Sequence, residues 1–185
     1  MSVKSRKIGI KKTSAPFAGE SFIDQLNKGV IKSKYNSKFI FFVYKIKNYF
    51  LSRLAYWCPV NSLRVIFHRW RGVNIGNNVF IGLNCVLDHS NPEYIILENN
   101  TMLSGENYIL THSRPYEHFK GKIMSYIAPV HIKKGAWLGI RSTILPGVII
   151  GENSIVSAGS IVKNNIPDSV IVEGNPAKII ADLNL

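Results

Sequence analysis

Three of the five histidines lie close together in the sequence and are the side chains best suited to acid–base or metal chemistry. They are His112, His118 and His131, whereas His68 lies in a basic stretch and His89 stands apart from the others. An imidazole titrates near pH 6.5, so it can accept a proton from a hydroxyl group at neutral pH. Three convergent imidazoles can instead bind zinc, and an isolated surface histidine is usually only solvated. The residue types alone leave these three alternatives open.

A six-residue repeat is the feature of the chain that must position these side chains. One position of the repeat is always aliphatic: Ile75, Ile81, Leu87, Leu97, Leu103, Ile109, Ile132, Leu138, Ile144, Ile150, Val156 and Val162. A period of six fits neither an amphipathic helix nor an alternating strand, but it fits short parallel strands with a corner every six residues. The repeat therefore predicts an all-β solenoid, with the aliphatic side chains inside.

Three hexapeptides make one triangular coil, so the repeat predicts about four coils, over residues 75–92, 97–114, 132–149 and 150–167. The 73–185 domain contains all of them, and residues 115–131 form an inserted loop of the kind that often binds ligands. Compact residues recur four positions after the aliphatic one: Val79, Cys85, Ala136, Ser142, Val148, Ser154 and Ser160. The last nine residues are predicted to form a short helix.

The charge of the chain is concentrated before the repeat. Residues 1–72 hold 15 Lys and Arg against 2 Asp and Glu, a net +13, whereas residues 73–185 hold 8 against 9, a net −1. Residues 1–20 read as a mobile basic tail and residues 21–72 as a basic helical segment, in which Asn61 and Ser62 could cap a second helix. A nucleic-acid partner is not favoured, because no recognised binding module accompanies the charge.

Aromatic residues are interleaved with the basic ones over residues 30–60, which is the pattern of a helix that touches an anionic membrane surface. The aromatic side chains concerned are Phe39, Phe41, Phe42, Tyr49, Phe50 and Trp57. The alternative is a helix packed under the solenoid with the same aromatics buried. The longest early apolar run, Phe39–Tyr44, is too short to span a bilayer. Two cysteines cannot make a disulfide framework, so a reducing, cytoplasmic compartment is expected, with peripheral membrane contact left open.

The stretch Ala128–Ile180 resembles the C-terminal half of the hexapeptide-repeat acyltransferases, above all the sugar and polysaccharide O-acetyltransferases. The matching elements are Trp137-Leu138-Gly139, Leu145-Pro146-Gly147, Ala158-Gly159-Ser160 and Gly174-Asn175-Pro176-Ala177-Lys178. The resemblance implies a left-handed parallel β-helix that assembles as a homotrimer and binds acetyl-CoA between neighbouring coils. It also implies direct attack of an acceptor hydroxyl on the thioester, without a metal.

The resemblance further implies roles for individual residues. His112, in the Thr111-His112-Ser113 element, corresponds to the general base, and the amide of Ile140 to the oxyanion donor. Cofactor-binding residues are implied at Trp137, Gly139, Ile140, Ala158, Lys163, Asn175, Pro176 and Lys178. The family's acceptor-binding Asn falls at Gly82 here, with Asn84 two residues on. Asn84 and Asp88 are therefore the substrate candidates. Asp88 could instead orient a histidine, or it could equally be only an exposed corner residue.

The expected function is acetyl transfer from acetyl-CoA to a sugar hydroxyl, in a polysaccharide or glycolipid precursor. Transfer to the amino group of an amino sugar is the nearest alternative, and a non-catalytic β-helix that docks on a membrane or partner is another. The zinc alternative has a structural precedent in γ-class carbonic anhydrases, which share the left-handed β-helix and bind zinc through three histidines.

Overall fold

The computed structural model describes residues 38–113 and 126–183. The predicted basic tail, the start of the helical segment and most of the inserted loop, including His118, lie outside the described residues, as does the side chain of Phe41. Two helices, α1 (Lys38–Trp57) and α2 (Asn61–Arg71), come first, and a short 3₁₀ turn spans Pro92–Tyr94. The strands are β1 (Asn74–Ile75), β2 (Phe80–Ile81), β3 (Val86–Leu87), β4 (Ile95–Leu97), β5 (Met102–Leu103), β6 (Tyr108–Ile109), β7 (His112–Ser113), β8 (Tyr126–Ile127), β9 (Val130–Ile132), β10 (Trp137–Leu138), β11 (Thr143–Ile144), β12 (Ile149–Ile150), β13 (Ile155–Val156), β14 (Ile161–Val162), β15 (Val170–Gly174) and β16 (Ala177–Asp182).

Three sheets make the faces of a triangular solenoid, and β7 and β8 form a separate two-stranded sheet. The first sheet has the order β1-β4-β9-β12, the second β16-β15-β13-β10-β5-β2 and the third β14-β11-β6-β3. All pairs in these sheets are parallel except β15 with β16. In the second sheet Ile81 pairs with Leu103, Leu103 with Leu138 and Leu138 with Val156, which is the register that the six-residue period predicts. The left-handed parallel β-helix is confirmed.

The interior is filled by the aliphatic position of the repeat. Ile81, Leu103, Leu138 and Ile144 are fully buried and belong to one continuous hydrophobic cluster. Burial of one such side chain contributes about 1.5–3 kcal/mol relative to exposure. The stacked corners thus rest on a continuous aliphatic core, which gives the polar groups at the corners a rigid support.

Helix α2 covers the open end of the first coil. In a parallel ladder the N–H and C=O of Ile81 point away from the next coil and need partners from elsewhere. Asn61 Oδ1 accepts the Ile81 N–H at 2.9 Å, and Arg64 Nε donates to the Ile81 C=O at 2.6 Å. Asn61 therefore does not cap the helix as predicted; Val60 is the N-cap residue, without a side-chain cap bond. Asn61 and Arg64 instead satisfy the backbone groups at the open end of the solenoid.

Two further predictions on boundaries are wrong. Within the last nine residues, where a helix was predicted, Ala177–Asp182 is strand β16, paired antiparallel with β15. The β-branched Ile179 and Ile180 suit a strand, and pairing with β15 satisfies backbone groups that its edge would otherwise expose. His131, assigned to the inserted loop, lies in β9 on the first sheet, where the neighbouring Val130 and Ile132 are buried in the core.

Candidate active site

His112 and Asp88 form a close pair where the second coil gives way to the inserted segment. Asp88 directly follows β3, and His112 opens β7, which pairs with β8 as a small antiparallel ribbon leaving the solenoid. His112 Nδ1 lies 2.6 Å from Asp88 Oδ2. The carboxylate is buried, whereas the imidazole is 32% exposed. The pair thus joins a buried charge to an accessible ring.

Asp88 is held in its charged form by the groups around it. Its Oδ2 accepts the backbone N–H of Thr111 at 2.9 Å and the Thr111 hydroxyl at 2.7 Å, and its Oδ1 accepts the N–H of Ser90 at 2.8 Å. Burial alone would raise the pKa of Asp88, but the hydrogen bonds and charge of His112, together with those from Thr111, hold that pKa well below its usual range. A substrate-binding role for Asp88 does not fit this placement, because its oxygens are buried and already bonded.

The tautomer of His112 follows from this contact. A charged carboxylate accepts hydrogen bonds only, so Nδ1 carries the proton that it donates to Asp88. In the neutral ring Nε2 then has a free lone pair. An imidazole held in this way can accept a proton from a hydroxyl group at Nε2.

A buried layer under Asp88 was missed by the sequence analysis. Arg71, at the end of α2, is 1% exposed and donates to the carbonyls of Leu87 at 3.0 Å and Asp88 at 2.8 Å. Its Nη1 also lies 3.0 Å from His68 Nδ1. Burial, followed by the charges of Arg71 and Arg64, lowers the pKa of His68 to about 3, so this ring is neutral. No signal in the basic segment distinguished Arg71 from solvated cations.

A second group of candidates lies at the corner between the second and third sheets. Gly139 and Ile140 form this corner in one coil and Ala158 in the next. Gly139 permits close coil stacking: a Cβ here would lie 2.6 Å from the Ala158 nitrogen and 2.8 Å from the Val156 oxygen. Among the described residues, neither the Ile140 N–H nor the Ala158 N–H has a hydrogen-bond acceptor. Both amides are therefore available to a ligand rather than part of the ladders.

Asn107 sets the direction of the Ile140 amide. This fully buried side chain donates to the Gly139 C=O at 2.7 Å and to Ser142 Oγ at 2.8 Å. Because the peptide unit is planar and trans, the Ile140 N–H points opposite to the Gly139 C=O and thus away from the interior. Asn107 was also missed, although its position four residues after Leu103 places it in the compact, inward phase of the repeat.

The remaining candidates are divided between several places. Trp137 donates from Nε1 to Ser104 Oγ at 2.7 Å and is partly exposed on the second sheet. Asn175 and Pro176 make the exposed turn between β15 and β16, and Lys178 is exposed on β16 of the same sheet. Lys163 follows β14, at the corner between the third and first sheets. The second sheet therefore gathers most of the cofactor candidates, but not Lys163.

Asn84 lies beside Ile140 in a surface groove of about 550 Å³. Gly82, Phe80 and Glu106 also line this groove. Asn84 has a left-handed backbone (φ 58°), which asparagine tolerates better than most residues, so the turn itself accounts for its residue type. Asn84 and Ile140 nevertheless line the same groove.

Within one chain, His112 and Ile140 are at different edges of the triangular solenoid. His112 leaves the corner that follows the third sheet, whereas Ile140 lies at the corner between the second and third sheets. The structure thus pairs His112 with Asp88 and groups Ile140 with Ala158 and Asn84. It does not bring these two groups together in a single subunit.

No metal site is formed by the described part of the chain, in which no cluster of three or more His, Cys, Asp or Glu side chains is suitably placed. His131 Nε2 lies 2.6 Å from Glu98 Oε1, so this ring also has a carboxylate partner. The third histidine of the zinc alternative, His118, is outside the described residues.

Comparison with known proteins finds two hexapeptide families. Residues 129–164 match the family of bacterial transferase hexapeptides, and residues 72–103 match the hexapeptide repeat of succinyl-transferases. YvoF of Bacillus subtilis, named as an inferred acetyltransferase, is 30% identical over 75% of this chain and 78% of its own length. The galactoside O-acetyltransferase of Escherichia coli is 32% identical over 59% of this chain. This chain spans only 56% of that enzyme, a little over half its length.

A solved structure supports the same fold. The hexapeptide-repeat acetyltransferase VCA0836 of Vibrio cholerae, complexed with acetyl coenzyme A, superimposes with a TM-score of 0.63. The match covers 77% of this chain and 88% of that protein at 22% sequence identity, so it bears on the fold alone. Taken with the YvoF match over three quarters of the sequence, these findings show that the chain belongs to the hexapeptide-repeat acetyltransferase family.

Proposed function

We propose that this protein transfers an acetyl group from acetyl-CoA to a hydroxyl group of a sugar, with His112 as the general base. The observation that carries the proposal is the 2.6 Å contact between His112 Nδ1 and the buried Asp88 carboxylate. It leaves Nε2 free to accept the hydroxyl proton. Family membership and the galactoside enzyme among the relatives support acetyl transfer to a sugar.

The reaction is a direct acyl transfer. The acceptor oxygen attacks the thioester carbonyl carbon while its proton moves to His112 Nε2. The carbonyl oxygen becomes an oxyanion, for which the outward Ile140 N–H is the donor. As the C–S bond breaks, the imidazolium returns the proton to the departing coenzyme A sulfur. Acetyl ester and coenzyme A thiol are the products, and the histidine ends in its starting form.

The coenzyme A site follows the second sheet. The unpaired Ala158 N–H is suited to a carbonyl of the pantetheine arm, and the exposed Trp137 ring offers an apolar surface beside it. Asn175 and Pro176 shape the turn that leads to Lys178, whose ammonium group would contact a phosphate as a point charge. Lys163 lies at another corner of its own chain, so we assign it to the coenzyme A bound by the neighbouring subunit.

A homotrimer is the assembly that we propose. One subunit separates His112 from Ile140 by placing them at different corners, and a three-fold axis can set the His112 corner of one subunit beside the Ile140 corner of its neighbour. Light scattering is expected near 62 kDa, three times the 20.8 kDa of one chain. We assign the protein to the cytoplasm, where its two free cysteines would remain reduced.

The acceptor is a sugar of a polysaccharide or glycolipid precursor, with Asn84 at the edge of its groove. The deciding experiment measures coenzyme A thiol release from acetyl-CoA against sugars, lipid-linked oligosaccharides and amino sugars. His112→Ala should lower kcat by about 10²–10⁴-fold and leave acetyl-CoA binding and assembly mass unchanged. His131→Ala is the matched control, since His131 also contacts a carboxylate at 2.6 Å but lies on another sheet.

Three results would contradict the proposal. Retention by His112→Ala of more than about a tenth of the wild-type kcat would place the base elsewhere. Exclusive transfer to amino sugars would replace the hydroxyl acceptor with an amine. The absence of thiol release with every acceptor, in a protein that binds acetyl-CoA poorly, would favour a non-catalytic docking module.

A further inference from the structure

Helix α1 has one face that packs on the rest of the protein. Asn48 and Ala55 are 1% exposed on this face, which contacts α2. Lys45 Nζ lies 3.4 Å from the carbonyl of Ser90, next to the Asp88 corner. These contacts attach α1 along its length, so the opposite face has a defined orientation relative to the solenoid.

The opposite face of α1 is apolar and exposed. Its side chains recur at helical spacing: Phe39, Phe42, Val43, Ile46, Phe50, Leu54 and Trp57. Phe39 and Trp57 are each 73% exposed and Phe50 is 61% exposed, so these three aromatics are not buried under the solenoid as the alternative interpretation required. Twenty helical residues extend over about 30 Å, which makes this an exposed apolar stripe rather than a few isolated residues.

Basic residues border this stripe. Lys47 directly follows Ile46, so a rotation of about 100° places it at one edge of the apolar face, whereas Lys45 reaches the carbonyl of Ser90 on the packed side. Arg53 is the one charged residue within the face. The sequence has no Asp or Glu between Asp24 and Asp88. The whole helix therefore presents apolar side chains and positive charge, without a compensating negative charge of its own.

We propose that this face of α1 binds an anionic lipid surface, with the helix axis parallel to the membrane plane. An interfacial helix combines an apolar face that enters the acyl boundary with Lys and Arg that reach the headgroups, and α1 has both. A second copy of the chain is the less suitable partner, because two such faces would bring like charges together. No helix of the described residues has the length and apolar character needed to cross a membrane.

The test measures binding of the full chain to vesicles. Co-sedimentation is compared for phosphatidylcholine vesicles and for vesicles in which three lipids in ten are phosphatidylglycerol, as a function of salt. Binding should require the anionic lipid and weaken as salt rises. Phe50→Ser and Trp57→Ser should each weaken vesicle binding by about ten-fold, because each removes an apolar side chain from the face that enters the lipid. Lys47→Gln should weaken it by about five-fold.

The matched control is Ile180→Ser, which removes an exposed apolar side chain (58% exposed) from β16 and should leave vesicle binding unchanged. Light scattering and circular dichroism of each variant show whether assembly and folding are intact. Coenzyme A release from a water-dissolved acceptor should not change, so this test is independent of the proposed chemistry.

Several outcomes would overturn the proposal. Equal binding to neutral and anionic vesicles would show that the basic residues do not contribute to binding. No binding to either kind of vesicle would show that this face does not bind lipid. If Phe50→Ser and Trp57→Ser leave salt-sensitive binding intact, another basic segment of the chain binds the vesicles. Loss of the oligomer in those two variants, with no vesicle binding by the wild type, would identify the stripe as an interface between copies of the chain.

Discussion

Replacing Asp88 with asparagine tests the central contact of the site with little change in shape. The carboxylate accepts four hydrogen bonds, from Ser90, from two groups of Thr111 and from His112. An asparagine offers one acceptor oxygen, and its NH₂ group donates. If the oxygen takes the place of Oδ2, it keeps the bonds from Thr111 and His112, and the NH₂ group meets the N–H of Ser90, which is a second donor. If the oxygen takes the place of Oδ1, it keeps the bond from Ser90, and the NH₂ group meets Thr111 and His112 Nδ1, which favours the tautomer whose Nε2 is protonated.

The expected cost to catalysis follows from the lost charge in both orientations and from the tautomer in the second. A ring protonated at Nε2 cannot accept the hydroxyl proton, and the imidazolium formed on attack would lose its neighbouring negative charge. The loss of an orienting carboxylate is expected to lower kcat by about 10²–10⁴-fold. The KM for acetyl-CoA should change little, because Asp88 is buried and does not border the groove beside Ile140.

Two comparison variants separate this effect from general destabilisation. Thr111→Val removes one hydrogen bond to Asp88 Oδ2 and leaves the His112 contact in place, so it should destabilise the fold yet retain kcat within about ten-fold. Glu98→Gln changes the other His–carboxylate pair in the same way, at His131, and should leave kcat nearly unchanged. Thiol-release kinetics and thermal unfolding are measured on all three variants.

This role of Asp88 would be refuted by any of three results. A folded Asp88→Asn protein that keeps more than about a tenth of the wild-type kcat would show that neither the charge of Asp88 nor the tautomer that it holds limits turnover. An equal loss in Glu98→Gln would show that His131 carries the chemistry. A parallel loss of kcat in Thr111→Val would instead trace the effect to the corner as a whole.

Two predictions concern stability. The pKa of His68, about 3 in the fold, lies below the ordinary 6.5, so the unfolded chain binds a proton below pH 6.5 that the native protein does not. As the pH is lowered from 6 to 4.5, the free energy of unfolding of the wild type should therefore fall more steeply than that of His68→Gln, by up to about 1.4 kcal/mol per pH unit. Chemical unfolding measures both slopes, and equal slopes would contradict a neutral buried ring. Asn48→Leu should raise the free energy of unfolding by about 1 kcal/mol or more, because both side-chain polar atoms of this buried residue lack partners among the described residues. An unchanged or lower midpoint in thermal unfolding would show that Asn48 is bonded in the assembled protein.

The solenoid could be predicted because its determinants are local and repeated. Each aliphatic residue of the series, such as Ile81 or Leu138, has the same environment one coil later, so the period alone gives the register. The helix expected at the C-terminus was wrong because its outcome depends on a neighbour: β16 forms where β15 offers an unpaired edge. A pattern read within nine residues does not contain that partner.

The site could be predicted only in part. The Thr111-His112 element was identified from a family pattern, and Asp88 was left between two roles because its burial depends on packing against Thr111 and against the end of α2. Asn107 could have been found, since a polar amide in an inward phase of the repeat needs buried partners. Arg71 could not, because only the fold shows which cation of a basic segment turns inward.

The positive charge before the solenoid has two separable uses, and that separation bears on function. In α2 the arginines turn toward the solenoid: Arg64 and Arg71 are buried, and each donates to carbonyls of the first coil. Arg71 also supports the corner of Asp88, so α2 belongs to the structure that orients His112. In α1, Lys47 and Arg53 instead lie beside or within an outward apolar face. Net charge alone does not distinguish these two roles. The contacts assign α2 to the support of the site, whereas the outward face of α1 is the one proposed to bind lipid.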